Sequence, residues 1–114
     1  MDNCIFCRIV AGTIPATIVH QDDQVLAFED INAQAPVHIL VIPKRHVAAV
    51  QDCADGDQAL LGKLLLTCAE VARAHNLNGS GYRIVTNTGA DSGQTVFHLH
   101  LHVLGGRTMG WPPG

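Results

Sequence analysis

The chain has 114 residues, a mass of 12.2 kDa, 47% hydrophobic and 15% charged residues, and a formal net charge of −3. That length fits one domain, residues 1–114, able to bury roughly 65% of the surface its unfolded form exposes, and the composition is globular rather than disordered. Seven Lys and Arg against ten Asp and Glu, with Lys44-Arg45-His46 as the only basic cluster, exclude the dense basic face that long nucleic acid demands.

No apolar run approaches 18 residues, so no membrane span is expected. Met1-Asp2-Asn3-Cys4 carries neither the basic region nor the apolar stretch of a secretory signal. The expected location is therefore the reducing cytoplasm, where the four cysteines read first as buried thiols or metal ligands. Residues 4–10 predict a short helix or turn that ends before Gly12. Ala16 to His20 and Val25 to Asp30 read as strands joined by the turn Gln21-Asp22-Asp23, hence a hairpin. Ile31 to Pro36 is a loop, and the β-branched run Val37 to Ile42, closed by Pro43, is a central strand. One long helix follows. Asp55 or Asp57 can cap it, an apolar stripe runs from Leu60 to His75 at helical spacing, and Asn78-Gly79 is the expected stop. Tyr82 to Asn87 is a fourth strand, Thr88 to Gln94 a loop, and Val96 to Leu104 a fifth strand ended by Gly105-Gly106. The architecture expected is α+β: a five-stranded, mainly antiparallel sheet with one long helix on its apolar face and a short N-terminal helix.

Residues 98–104 read His-Leu-His-Leu-His-Val-Leu. In a strand, alternate side chains share a face, so His98, His100 and His102 stand together, opposite Leu99, Leu101 and Val103. The apolar face suits the Leu-rich helix, and the imidazole face must meet solvent, a metal or a substrate. An ordinary amphipathic strand with histidine at its polar positions would give the same pattern. A single metal held by all three is disfavoured, because they span about 13 Å at the rise of an extended chain. The preceding loop, Asn87 to Thr95, holds Gly89 and Gly93 for close backbone approach to an anion, with Ser92, Gln94 and Thr95 as side-chain donors. Beside three histidines it reads as a phosphate cradle. Cys4-x-x-Cys7 has the spacing of half a zinc knuckle; alone it could also be a redox pair or two core thiols. Cys68 lies on the helix stripe and reads as core, and His20 and His75 lack a partner pattern.

The run Gln94-Thr95-Val96-Phe97-His98-Leu99-His100-Leu101-His102-Val103-Leu104 resembles the signature of the histidine triad (HIT) superfamily. Gly105-Gly106-Arg107 and the ending Trp111-Pro112-Pro113-Gly114 are similar to its Hint branch, the purine nucleoside phosphoramidases. Further matches are Ala27-Phe28-Glu29-Asp30-Ile31, Gln34-Ala35-Pro36 and His38 to Lys44, and the N-terminal Cys pair looks like that of bacterial members. The resemblance implies the HIT fold and a hydrolase of P–N bonds in purine nucleoside 5′-monophosphoramidates. His100 would attack the α-phosphorus to form a nucleotidyl-histidine, which water then hydrolyses. Imidazole suits this role, being largely neutral at pH 7, nucleophilic and a good leaving group. His102 and His38 would stabilise phosphate charge or handle the leaving-group proton, with Thr95 at a position usually held by serine. Asp30 would grip the ribose hydroxyls and Ile31 the base, while Asn87, Gly93, Gln94 and Thr95 would contact the nucleotide with His100 and His102. Gly110 departs from the histidine often found before the tryptophan.

In zinc-bearing relatives two histidines complete the metal site; here they match His46 and His98, which with Cys4 and Cys7 implies a structural zinc, none being required for catalysis. A homodimer is also implied, with a continuous sheet and the C-terminal tail reaching the partner's site. Two rival readings stand beside this one. One is a dinucleoside polyphosphate hydrolase of the Fhit kind; the other is a zinc-stabilised nucleotide-binding or scaffold protein with little turnover.

Overall fold

The computed structural model describes residues 3–114. In chain order it contains α1 (Ile5–Val10), β1 (Ile18–Gln21), β2 (Val25–Glu29), β3 (Val37–Pro43), α2 (Gln58–Ala74), β4 (Tyr82–Val85) and β5 (Leu101–Gly105). Single 3-10 turns lie at Val50–Asp52, Asp55–Asp57 and Ala90–Ser92. The strands form one sheet in the order β1-β2-β3-β5-β4, antiparallel at every pairing. The expected α+β architecture is therefore what the chain adopts.

Strands β2 and β3 are apolar at almost every position because these two strands are packed against on both faces. On one face Val25, Ala27, Ile39, Val41, Leu99, Leu101 and Val103 pack under Leu64, Cys68, Val71 and Ala72 of α2. On the other, Leu26, Phe28, Leu40 and Ile42 pack against Phe6 and Ile9 of α1. The α1 face is only partly covered, and the histidines occupy the rest of it.

Strand β1 runs Ile18–Gln21 rather than Ala16 to His20 and β2 ends at Glu29 rather than Asp30, and larger departures at α2, β4 and β5 each have a local reason. Helix α2 ends at Ala74, with His75 as its C-cap, rather than at Asn78-Gly79. Asn76 takes the left-handed conformation (φ 61°), the Leu77 N–H bonds Ala72 O at 3.0 Å, and the Asn76 N–H bonds Arg73 O at 3.0 Å. That is a Schellman closure with Asn at the position glycine usually takes, and Leu77 drops into the core behind it. At the other end Asp57 precedes the first helical residue, but its carboxylate accepts the Ala54 N–H at 2.9 Å, so it ties down the preceding 3-10 turn instead of the helix.

Strand β5 begins at Leu101, not Val96, because side chains and a loop carbonyl take the backbone groups that a ladder would use. The His98 carbonyl accepts from the His100 ring at 2.7 Å, the His100 carbonyl accepts from the Thr86 hydroxyl at 2.9 Å, and the Leu99 N–H goes to Val47 O at 2.7 Å. β4 likewise ends at Val85 rather than Asn87, just before that Thr86 contact. The alternation still holds through the irregular stretch: Leu99, Leu101 and Val103 face α2, and the three imidazoles face the other way.

Candidate active site and metal centre

The β3–β5 register places Leu40 opposite His102 and His38 opposite Leu104. His38 and His102 are thus diagonal neighbours on one face, within reach of long side chains. His38 Nε2 lies 2.9 Å from His102 Nδ1, and the His100 and His102 ring centroids are 5.0 Å apart. Asp30, one residue beyond β2, brings Oδ2 to 3.4 Å from His38 Nε2 while its Oδ1 accepts the Asn32 N–H at 2.8 Å.

Hydrogen-bond partners assign the tautomers. The Gln34 N–H donates to His38 Nδ1 at 3.0 Å, so neutral His38 carries its proton on Nε2. That proton points at His102 Nδ1, which leaves His102 with its own proton on Nε2. The His98 carbonyl can only accept, so His100 is protonated on Nδ1 and its Nε2 lone pair is free. Burial holds His38 below the usual histidine range despite the pull of Asp30. Burial first, then the neighbouring His100 and His38, pushes His102 down to about 4. Both rings are therefore neutral at pH 7.

These groups line a cavity of about 490 Å³ whose wall is mostly apolar, with Ile5, Phe6 and Ile9 of α1 together with Phe28 and Leu40, while Glu29, Asn32, Gln34 and Thr95 add polar groups. The volume is in the range of small-ligand sites. Of the residues singled out in the sequence, Asp30, Ile31, His38, Thr95, His100 and His102 all line it. Ile31 is fully exposed at 102% and stands at the rim. Asn87, Gly93 and Gln94 are not among its lining residues. The loop before Thr95 is bonded mostly to itself: the Gly89 N–H goes to Gln94 Oε1, the Gly93 N–H to Ala90 O and the Gln94 N–H to Gly89 O. The Gln94 amide also donates to Ala48 O and Val96 O, and the Ser92 hydroxyl to Gly89 O. Those N–H groups hold the loop's shape instead of forming an open anion cradle. The residue that sequence reasoning missed is Phe6, whose ring packs edge-on against His100 at 5.1 Å and His98 at 5.8 Å. Its place between the two cysteines was the available signal.

Cys4, Cys7, His46 and His98 converge behind this site, with all four donor atoms within 4.8 Å of one another. His46 Nδ1 and His98 Nδ1 are 3.2 Å apart, and sulfur–nitrogen separations are 3.3, 3.4 and 3.6 Å. A tetrahedral zinc with bonds of about 2.3 Å to sulfur and 2.0–2.1 Å to nitrogen requires edges of roughly 3.3 and 3.5 Å, so the set fits. The outer contact fits as well: His98 Nε2 donates to Pro43 O at 2.8 Å, which leaves Nδ1 bare for a metal. Burial chiefly lowers His98, keeping it neutral as a ligand must be, and burial followed by Cys4 pushes the Cys7 thiol up, a shift that a bound dication reverses. Asp30, His38 and His102 form a second group of comparable compactness. It does not suit a metal, because the Gln34 N–H forces the proton onto the very His38 nitrogen that would have to coordinate.

The remaining cysteines, Cys53 and Cys68, are also unpaired. Cys68 is fully buried in the core under α2, and burial pushes its thiol to about 12, which makes it inert. His20 bonds Asp22 at 3.1 Å and His75 bonds Val71 O at 2.8 Å, and neither lines the cavity of His100 and His102.

Comparison with known proteins agrees with this geometry. The HIT domain family matches residues 11–109. An uncharacterised HIT-like protein of Synechocystis sp. is 52% identical over 113 residues, covering 99% of this chain and 98% of its own; one of Synechococcus elongatus is 53% identical with the same coverage. Among solved structures, a HIT family hydrolase from Legionella pneumophila superposes with a TM-score of 0.96 at 51% identity, covering 98% of this chain and 100% of the other. A histidine triad protein from Clostridium difficile superposes at 0.92 with 42% identity, covering 96% and 95%. The chain belongs to the HIT family.

Proposed function

We propose that this protein hydrolyses the P–N bond of purine nucleoside 5′-monophosphoramidates. The observation that carries the reading is the tautomer of His100. Its Nδ1–H is held by the His98 carbonyl, which leaves a bare Nε2 in a ring that lines the cavity. That nitrogen attacks the α-phosphorus, and the P–N bond breaks as the departing nitrogen takes up a proton from solvent and leaves as an amine. Water then displaces imidazole from the nucleotidyl-histidine, giving the nucleoside monophosphate and returning the proton. Neutral His102, with its proton on Nε2, donates to a phosphoryl oxygen as charge develops, and His38 keeps it in that tautomer. Thr95 lines the same cavity and offers its hydroxyl to the phosphoryl or leaving group. Asp30 holds the ribose hydroxyls and Ile31 covers the base, whose pocket of Phe6, Ile9 and Phe28 is apolar. Asn87, Gly93 and Gln94 act on the nucleotide through the loop that delivers Thr95.

The Cys4, Cys7, His46 and His98 set is read as a structural zinc site; zinc bound there would crosslink α1 to the chain after β3 and before β5. The molecule is read as a cytoplasmic homodimer. Its β4 edge is free to pair with a second copy, and the exposed tail beyond β5 would reach the partner's site. Among the described residues no helix is long and apolar enough to cross a membrane.

The test is turnover of an AMP–tryptamine or AMP–lysine phosphoramidate beside diadenosine polyphosphates. The phosphoramidate is expected to be the better substrate by kcat/KM. His100→Ala is expected to abolish both turnover and the nucleotidyl mass that quenched wild-type enzyme carries on His100. Near-normal kcat in that variant would remove the assignment, and preference for the polyphosphate would transfer the chain to the Fhit-like reading.

A further inference from the structure

We propose that Arg107 is a positioning residue for the His38–His102 pair and acts through the backbone of Gln34. The proposal rests on the reading of His102 as the phosphoryl donor. Arg107 follows β5 and lines a separate groove with Ser80, Tyr82 and Met109, not the histidine cavity. Its Nε donates to the Gln34 carbonyl at 2.9 Å, and its Nη1 donates to Thr108 O at 3.4 Å. Across the Gln34 Cα, the N–H of the same residue donates to His38 Nδ1. The guanidinium thus grips one side of the residue whose other side assigns the His38 proton.

A second contact joins the same two segments. Gly106 has φ +90°, and a Cβ built there would come within 2.9 Å of Pro36 Cβ. The turn after β5 therefore presses on loop 31–36 at Pro36 and bonds it at Gln34. The first part of that loop is tied to itself, through the Asn32 N–H on Asp30 Oδ1 and the Gln34 side-chain amide on Asn32 O. The Arg107 bond and the close approach of Gly106 to Pro36 tie its second part to the turn after β5, beside the Gln34 N–H bond to His38 on β3.

The consequence is chemical. A neutral imidazole has one donor nitrogen and one acceptor nitrogen, and its environment selects which is which. With the Gln34 N–H in place, His38 donates through Nε2, His102 accepts through Nδ1, and His102 offers Nε2–H to the phosphate. If the Gln34 N–H swings away, Asp30 Oδ2 at 3.4 Å from Nε2 alone favours the proton there, and the Nδ1–H tautomer of His38 becomes accessible. His102 must then donate through Nδ1, and it turns a bare nitrogen toward an anionic oxygen. One displaced backbone amide thereby converts a phosphate donor into a phosphate repeller, without moving either ring. Arg107 lies on the surface, so removing it perturbs this chain of bonds and not the core.

The experiment compares wild type, Arg107→Ala, Arg107→Lys and Gln34→Pro, the last deleting the N–H itself. Long-range proton–nitrogen NMR of the imidazoles, on the metal-loaded protein without substrate, reads the tautomers directly. Kinetics on AMP–tryptamine phosphoramidate read the consequence. Expected for wild type are bare Nδ1 and protonated Nε2 on both His38 and His102. Expected for Arg107→Ala is tautomer mixing at both rings and a kcat lower by about threefold to tenfold, with KM changed less than twofold. Arg107→Lys should restore most of kcat, since an ammonium can reach one carbonyl, and Gln34→Pro should lose more than Arg107→Ala. Wild-type tautomers in Arg107→Ala overturn the proposal, whether or not kcat falls, and so does a rise in KM alone. If Gln34→Pro does not fold, the Arg107 pair decides. If wild type turns over no phosphoramidate, the functional reading fails while the NMR still judges the positioning.

Discussion

Seven histidines share one side-chain chemistry, and their partners give them different work. His98 donates through Nε2 and offers Nδ1 to the metal set; His100 donates through Nδ1 and keeps Nε2 free; His38 donates through Nε2 because a backbone amide holds its other nitrogen. A testable consequence lies in stability against pH. His102 is lowered to about 4 by burial and its neighbours, and His38 is lowered by burial, whereas both titrate near 6.5 in an unfolded chain. Between those values the unfolded state binds more protons, so stability rises with pH there. The full contribution is present above about pH 6.5 and is lost as pH falls through about 4. Thermal melts should therefore show Tm declining across that window, and His102→Asn should show a shallower decline than wild type. Equal slopes in the two proteins would refute the linkage.

At the scale of elements, α1 is the informative one. Six residues cannot form a stable helix unaided. Cys4 Sγ accepts the Cys7 N–H at 3.3 Å as a cap, and Phe6 and Ile9 are buried against β2 and β3. The metal set adds contacts to His46 and His98, which are 39 and 91 residues from Cys7 in sequence. Because α1 also walls the cavity that holds His38, His100 and His102, its attachment is expected to affect both stability and ligand affinity. Structural zinc is worth about 10–16 kcal/mol in finger peptides; a sheet core that forms without it leaves a smaller share for folding here. Cys7→Ser is expected to lower Tm by on the order of 10 °C and to reduce zinc from one per chain, while some turnover remains because His100 is not a ligand. Metal analysis of chelator-free protein beside melting curves checks this. Wild type with under about 0.2 zinc per chain would make the four residues a thiol–imidazole cluster only.

For the whole molecule, sheet order leaves β1 and β4 as edges. β1 carries a register irregularity between Ile18 and His20, which disfavours further pairing along it. β4 pairs regularly with β5, and its four residues are only half-buried. Arg83 on that strand bonds Gly110 O at 2.8 Å, so the tail leaves beside the edge with Trp111 82% exposed. A second copy paired along β4 would meet both features. Sedimentation should give twice the 12.2 kDa chain mass at micromolar concentration. Deleting residues 108–114 should depress turnover more than Tm. A monomer with full activity would dispose of both the dimer and the tail's role.

Period-two and helical patterning determined the layers of this protein, because a sheet face and a helix stripe each need a matching apolar partner. The alternation at 98–103 likewise sorted three imidazoles from three core residues before any fold was known. Residue types and spacing marked Cys4 and Cys7 as half of a metal site, and resemblance supplied His46 and His98. Element ends were less legible: Asn76 rather than Asn78-Gly79 closes α2, since several polar residues compete for the cap and Leu77 settles the choice by burying itself. The irregular start of β5 and the self-bonded loop at 87–94 were invisible as well, because both depend on which distant group takes a carbonyl or an amide. Tautomers belong wholly to the tertiary structure. An imidazole is symmetric in sequence, and only a donor such as the Gln34 N–H or an acceptor such as His98 O, brought within about 3 Å by the fold, makes its two nitrogens different.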